Sequence, residues 1–183
     1  MLKVLAHGGK RIAVIGTTGS GKTTLAQQLA GCLGVLHVEL DALHWGAGWS
    51  PAPLEIFRER VSQSLKGDGW VVDGNYSKVR DIVWSRADTI VWLDYSFWVI
   101  IRRVIQRTFR RLLRQEELWN GNRERWRDQF LSRESLFLWV LRTYWRRRRE
   151  YPLLLREPEY AHLAVVHLRS PMDAQEWLAR IAT

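Results

Sequence analysis

The chain holds a single cysteine, Cys32, in 183 residues. One thiol excludes an internal disulfide framework and a cysteine-based zinc site. It fits a reducing compartment, so a cytoplasmic location is expected. Long apolar runs are also missing. The longest, Ile90 to Ile101, is about a dozen residues and contains Asp94, whereas a bilayer span needs roughly 20. No membrane segment is therefore expected. The N-terminus lacks the apolar stretch of a signal peptide. The five histidines lack paired spacing, which gives no reason to expect a metal held by protein ligands alone. Lysine is scarce too, at five of 28 basic residues.

Apolar residues make up 46% of the chain, enough for the core of one domain at this length. The net charge of +9 is local. Residues 102–149 hold 15 Arg and five acidic residues, while the other 135 residues hold 13 basic and 14 acidic. A nearly neutral body thus carries one Arg-rich segment. This argues against a generally basic nucleic-acid coat and for a localised anion site. Arg suits bidentate phosphate recognition better than Lys does. The eleven Trp read first as core filling, with stacking platforms as the alternative.

Residues 11–15 form a β-branched run that reads as a buried strand. Leu25, Leu29 and Leu33 then mark one face of a helix, closed by Gly31 and Gly34. Val35 to Glu39 is a second strand, and Asp41 to Pro53 a loop rich in Gly, Trp and Pro. Leu54, Phe57, Val61 and Leu65 space as a helix. Trp70 to Val72 is a third strand, 77–86 a short helix and Thr89 to Leu93 a fourth strand. From Phe97 a long helix carries an apolar stripe, with Arg103, Arg107, Arg110 and Arg114 on another side. Residues 115–130 lose the periodicity and read as a mobile polar insertion. Leu131 to Arg149 resumes as a helix ending in four Arg, with Pro152 just beyond. Leu163 to Leu168 is a fifth strand and Asp173 to Ile181 a closing helix. Residues 1–9 read equally as a short strand or a frayed tail. Strands alternating with helices indicate an α/β sandwich with a parallel sheet.

Gly16-Thr17-Thr18-Gly19-Ser20-Gly21-Lys22-Thr23 matches G-x-x-x-x-G-K-[ST] at every fixed position. Glycines let backbone N–H groups turn inward around a phosphate. The following helix offers its positive end to the same anion. In this pattern Lys22 reaches the outer phosphates, Thr23 ligates Mg²⁺ and Thr24 serves an inner phosphate. The strand before and the helix after supply the required context. The motif implies nucleoside triphosphate binding, not what is done with the nucleotide.

Three carboxylates follow strands and so reach the same edge of the sheet, where ligands sit in open parallel sheets. They are Asp41, Asp73 and Asp94. Each has a local alternative: Asp41 capping its own turn, Asp73 opening a DG turn, Asp94 capping the long helix. Their clustering favours a shared site.

The stretches IAVIGTTGSGKTTLAQQLA (12–30), ELDALHWGAGWSP (39–51), GWVVDGNYSKVR (69–80), ADTIVWLDYSFWVIIRRVIQRTFRR (87–111) and WNGNRERWRDQFL (119–131) carry a family resemblance. The sequence resembles the P-loop nucleoside-monophosphate kinase and shikimate kinase group. Within it, the chain is most similar to small bacterial proteins called FlaR-like, DNA topology modulation or adenylate-kinase-like proteins. The resemblance implies a three-layer α/β/α P-loop NTPase fold in a single domain, 1–183. Its five-stranded parallel sheet would have order 2-3-1-4-5, with residues 115–130 as a lid.

The resemblance also implies transfer of the γ-phosphoryl of Mg-ATP to a nucleotide or small-molecule acceptor. Asp73-Gly74 matches the adenylate-kinase DG step, but Asn75-Tyr76 replaces the Phe-Pro-Arg that follows there, with Arg80 the nearest substitute. Asp41 matches the acidic position that contacts the acceptor hydroxyl in shikimate kinase. Arg169 follows strand five, where related kinases hold adenine. The catalytic residues expected are Lys22, Asp41, Asp73, Arg107, Arg123 and Arg127, with Arg125 a further lid arginine. Nucleotide contacts are expected from Gly16, Thr17, Gly19, Ser20, Gly21, Lys22, Thr23, Thr24 and Arg169. Thr23 would hold Mg²⁺, with Asp73 and Asp94 acting through water.

Two other readings compete. One is a nucleic-acid-associated NTP-binding protein that uses the Arg run with Trp119, Trp126, Trp139 and Trp145. It is the less favoured, since Arg146 to Arg149 also reads as a solvated helix end. The other is a regulatory ATPase with no acceptor. His44 and Trp45 line an acceptor pocket or pack a loop tip, and His162 and His167 read as structural.

Overall fold

The computed structural model describes residues 9–114 and 136–182, with side chains at 9–110 and 142–182. The expected lid at 115–130, with Arg123, Arg125 and Arg127, lies outside the described residues, as do residues 1–8.

Five strands form one parallel sheet: β1 (Arg11–Gly16), β2 (Leu36–Glu39), β3 (Trp70–Asp73), β4 (Thr89–Leu93) and β5 (Ala164–Leu168). Their order is β2-β3-β1-β4-β5, as expected. Around them lie α1 (Lys22–Leu33), α2 (Leu40–His44), α3 (Leu54–Ser64), α4 (Arg80–Arg86), α5 (Phe97–Arg114), α6 (Leu136–Leu154) and α7 (Pro171–Ile181). Parallel strands need crossovers, and helices on both faces bury the β-branched residues of each strand. Alternate residues of β1 enter two separate cores. Ile12 and Val14 pack with Leu25, Leu29, Ile100, Val104 and Trp177. Ala13 and Ile15 pack with Phe57, Val61, Trp70, Val83 and Trp84. The buried Trp70, Trp84, Trp92 and Trp177 act as core filling.

The helix after the insertion departs from expectation. It runs past the four arginines and through Pro152 to Leu154. A proline inside a helix removes one ladder bond and costs about 3 kcal/mol. Burial offsets this cost, because α6 lies across the carboxyl edge of the sheet. It sends Tyr144 into one core and Tyr151 into the other. Two smaller differences occur earlier. Gly31 lies inside α1, and Gly34 alone ends that helix, with φ +63°. The expected loop from Asp41 contains the short α2 and a 3₁₀ turn at Ala47–Trp49. At the C-terminal end, Ser170 and Asp173 form a capping box on α7. Among the described residues no helix is long and apolar enough to cross a membrane.

Candidate active site

β1 ends at Gly16 and α1 begins at Lys22, so the glycine loop bridges the carboxyl edge of the sheet and a helix N-terminus. Gly19 and Gly21 have φ of +79° and +91°, a region L-residues seldom occupy. A Cβ on Gly16 would meet the Leu93 carbonyl at 2.7 Å, and one on Gly19 would meet Val104 at 2.5 Å. The first turn of α1 has no acidic residue, and Gly21 provides no side-chain cap. Its orphan N–H groups are therefore available to an anion. Thr17 and Ser20 are buried, and the Ser20 hydroxyl has no hydrogen-bond partner. Thr24 is exposed.

Four cations converge on this loop. Lys22 Nζ donates to the Thr17 carbonyl at 3.3 Å. From α5, Arg103 donates to the Ser20 carbonyl at 2.9 Å and Arg107 to Thr18 Oγ1 at 3.3 Å. From α6, the buried Arg147 donates to the Gly16 carbonyl at 3.5 Å. Desolvation, then repulsion from Arg147, pulls Lys22 down to about 8, against the attraction of Asp73 and Asp41. Burial also lowers Arg147. Crowded cations around a glycine cradle are the arrangement that a polyanion relieves.

The three carboxylates fall into distinct settings. Asp73, at the end of β3, accepts from Thr23 Oγ1 at 3.0 Å. Its other oxygen lies 2.8 Å from His37 Nε2, and that hydrogen bond raises the His37 pKa. Asp73 thus stands beside the hydroxyl expected to hold Mg²⁺. Asp94 is placed otherwise. Arg148 Nε lies 2.8 Å from its Oδ1 and His167 Nε2 lies 3.0 Å from its Oδ2. It neither caps the long helix nor meets Thr23, but ties α6 to the ends of β4 and β5. His167 stacks on Trp92 with centroids 4.2 Å apart.

Asp41, in α2, accepts from the Tyr76 hydroxyl at 2.5 Å. Burial and the Asp41 charge hold that hydroxyl protonated well above its ordinary range. The Trp45 side chain hydrogen-bonds to the same tyrosine. His44 packs against Trp45, Phe57 and Tyr76, and burial keeps it neutral by lowering its pKa. An aromatic wall therefore backs the Asp41 carboxylate, and the electrostatic reach of Asp41 extends to Lys22.

The block Asp73-Gly74-Asn75-Tyr76 serves the site three ways, through Thr23, Gly16 and Asp41 in turn. Only Asp73 of the three polar residues was expected there. Arg80 stacks over Trp84 at 5.4 Å and lines a cleft with Asn75, Tyr76 and Tyr151. Arg169 is exposed, and its backbone N–H donates to Asp173 at 3.0 Å. The Arg run at 146–149 divides. Arg147 is buried, Arg148 stays exposed while pairing with Asp94, and Arg146 lies 3.7 Å from Glu150.

No protein-family model and no curated protein matches the sequence. Solved structures do match it. A gluconokinase from Sinorhizobium meliloti 1021 aligns over 95% of this chain and 94% of its own, with 20% identity and a TM-score of 0.52. A shikimate kinase from Bacteroides thetaiotaomicron aligns over 93% of this chain and 95% of its own, with 17% identity and a TM-score of 0.53. The strand order and this likeness together show that the chain has the P-loop kinase fold.

Proposed function

We propose that the chain is a kinase that transfers the γ-phosphoryl of Mg-ATP to a hydroxyl of a small molecule. The observation that carries this reading is the Asp41 carboxylate, fixed by Tyr76 beside the cation-lined glycine loop. A carboxylate there attracts a hydroxyl and repels a phosphate acceptor such as a nucleoside monophosphate. The glycine cradle, the orphaned Ser20 hydroxyl and the four cations fit a nucleotide triphosphate tail. Thr23 and Asp73 fit Mg²⁺, the first as ligand and the second through water. When bound, Mg²⁺ supplies charge neutralisation between the outer phosphates. The engagement of Asp94 by Arg148 and His167 leaves it a structural part.

In the reaction the acceptor oxygen forms a bond to the γ-phosphorus. The bond from that phosphorus to the bridging oxygen breaks, and ADP leaves with the electron pair. Asp41 orients the acceptor hydroxyl and takes its proton. Lys22, Arg107 and Arg147 stabilise the charge on the transferring group, and Arg123 and Arg127 are further candidates for that role. Arg147 was not expected from the sequence as part of this clamp. Its burial takes one arginine from the face that a nucleic-acid role would use, and the ion pair with Asp94 engages Arg148 as well.

The test is ADP release from Mg-ATP with two panels against a no-acceptor control. One panel holds hydroxylated metabolites, including gluconate and shikimate, the acceptors named by the two structural neighbours. The other holds nucleoside monophosphates. Acceptor-dependent ADP from the first panel, lost in Asp41→Asn, supports the reading. ADP from the monophosphate panel alone, or full transfer by Asp41→Asn, contradicts it.

A further inference from the structure

The ladder between β1 and β3 ends with Val14 opposite Asp73. β1 continues to Gly16, which pairs with Leu93 of β4 on its other side. Past Asp73 the chain turns at Gly74, with φ +141°. β3 therefore supplies no rung for Gly16. The Asn75 side chain takes that place. Its Nδ2 donates to the Gly16 carbonyl at 2.6 Å, and its Oδ1 accepts from the Gly16 N–H at 3.2 Å. One side-chain amide thus replaces a peptide, with one donor and one acceptor at the spacing a strand would offer.

That amide is also held from α6. The Tyr151 hydroxyl donates to Asn75 Oδ1 at 3.0 Å. The Gly16 N–H and carbonyl fix which end of the amide faces which, and the tyrosine adds a second donor to the oxygen end. Tyr151 is itself fixed, buried in one core with its ring edge-on to Trp92 at 5.7 Å. The stem of the phosphate loop is in this way gripped on one side by backbone and on the other by a side chain that a tyrosine anchors.

We propose that Asn75 is a positioning residue for nucleotide binding, holding the Gly16 peptide in the register the phosphate loop needs, and that Tyr151 acts through it. This rests on the reading that the loop binds nucleotide. The loop holds phosphate with several short backbone contacts at once, so a small displacement of its stem weakens all of them together. Asn75 touches the loop and not the phosphates, so its effect appears in affinity and not in the chemical step alone.

The experiment measures Kd for a fluorescent N-methylanthraniloyl ADP in the wild type, Asn75→Ala, Tyr151→Phe and the double variant, with Tm for each. Asn75→Ala is expected to weaken binding about tenfold, and Tyr151→Phe about threefold. The double variant is expected to bind no worse than Asn75→Ala alone, because Tyr151 acts through the missing amide. Unchanged Kd in Asn75→Ala with a lowered Tm would make the residue merely structural and overturn the proposal. Additive losses would overturn the role given to Tyr151. Tyr151→Phe keeps its ring in the core, so its Kd decides the matter if Asn75→Ala does not fold. A wild type that binds no nucleotide would instead remove the functional reading and this inference with it, a pattern distinct from variants that match a binding wild type.

Discussion

Tyr76 donates its hydroxyl proton to Oδ1 of Asp41 at 2.5 Å, across 35 positions of sequence. This bond restrains the carboxylate through one oxygen, and the proposed acceptor hydroxyl would meet the other. Tyr76→Phe removes this bond and keeps the ring contacts with His44 and Phe57 at 4.7 and 5.1 Å. Acceptor-dependent turnover is expected to fall about tenfold. ADP affinity is expected to hold, as measured by titration calorimetry. Unaltered kcat/KM for the acceptor would remove Tyr76 from the account.

Asp73 joins Thr23 at 3.0 Å and leads to a prediction about metal dependence. Asp73→Asn keeps the shape but loses the charge proposed to hold Mg²⁺ through water. The Mg²⁺ concentration giving half-maximal turnover is expected to rise about tenfold, with little change in metal-free ADP binding. A Mg²⁺ titration of turnover, paired with ADP binding in EDTA, reads both.

The Lys22 pKa, near 8 in the free protein, sets a pH dependence for nucleotide binding. Bound phosphates place negative charge beside the ammonium and raise its pKa. A group whose pKa rises on binding adds affinity that is fully present below its free value. That affinity is lost as pH climbs from about 8 toward the bound value. ADP affinity is thus expected to fall above about 8, with proton uptake on binding there. Calorimetry in buffers of different ionisation enthalpy detects the uptake. Lys22→Ala is expected to lower kcat about 10²- to 10³-fold and to abolish the uptake.

The capping box on α7 gives a prediction about stability alone. Ser170 Oγ accepts from the Asp173 N–H at 3.1 Å, and Asp173 Oδ2 accepts from the Ser170 N–H at 3.0 Å. Ser170→Ala is expected to cost about 1 kcal/mol of unfolding free energy, read from urea denaturation, with ADP affinity intact.

Much of the scaffold was legible because its signals are local. The β-branched runs and the fully matched glycine motif placed the strands and the loop to within a residue or two. The place of Arg107 beside the loop was legible because helical spacing set it on one side of α5. The partners of the site were not legible, because they meet across long separations. Asn75 reaches Gly16 across 59 positions, and Arg147 reaches it across 131. Pro152 and the arginines before it suggested a helix end, but burial of Tyr151 carries α6 onward. Asp94 looked like its two fellow strand-end carboxylates, and only the arrival of Arg148 and His167 separates it from them. A polar residue directly after the DG step was the one available hint of Asn75. A strand that ends short of its neighbour leaves a rung for a side-chain amide to fill.

The central claim is that the phosphoryl group goes to a hydroxyl oxygen placed by Asp41. Phosphorus-31 NMR of the reaction with Mg-ATP and the acceptor-active hydroxyl panel tests it most directly. The account predicts a phosphate monoester resonance that grows as γ-ATP signal is lost, and that is absent with Asp41→Asn. ADP with inorganic phosphate and no monoester, or a monoester formed undiminished by Asp41→Asn, would contradict it.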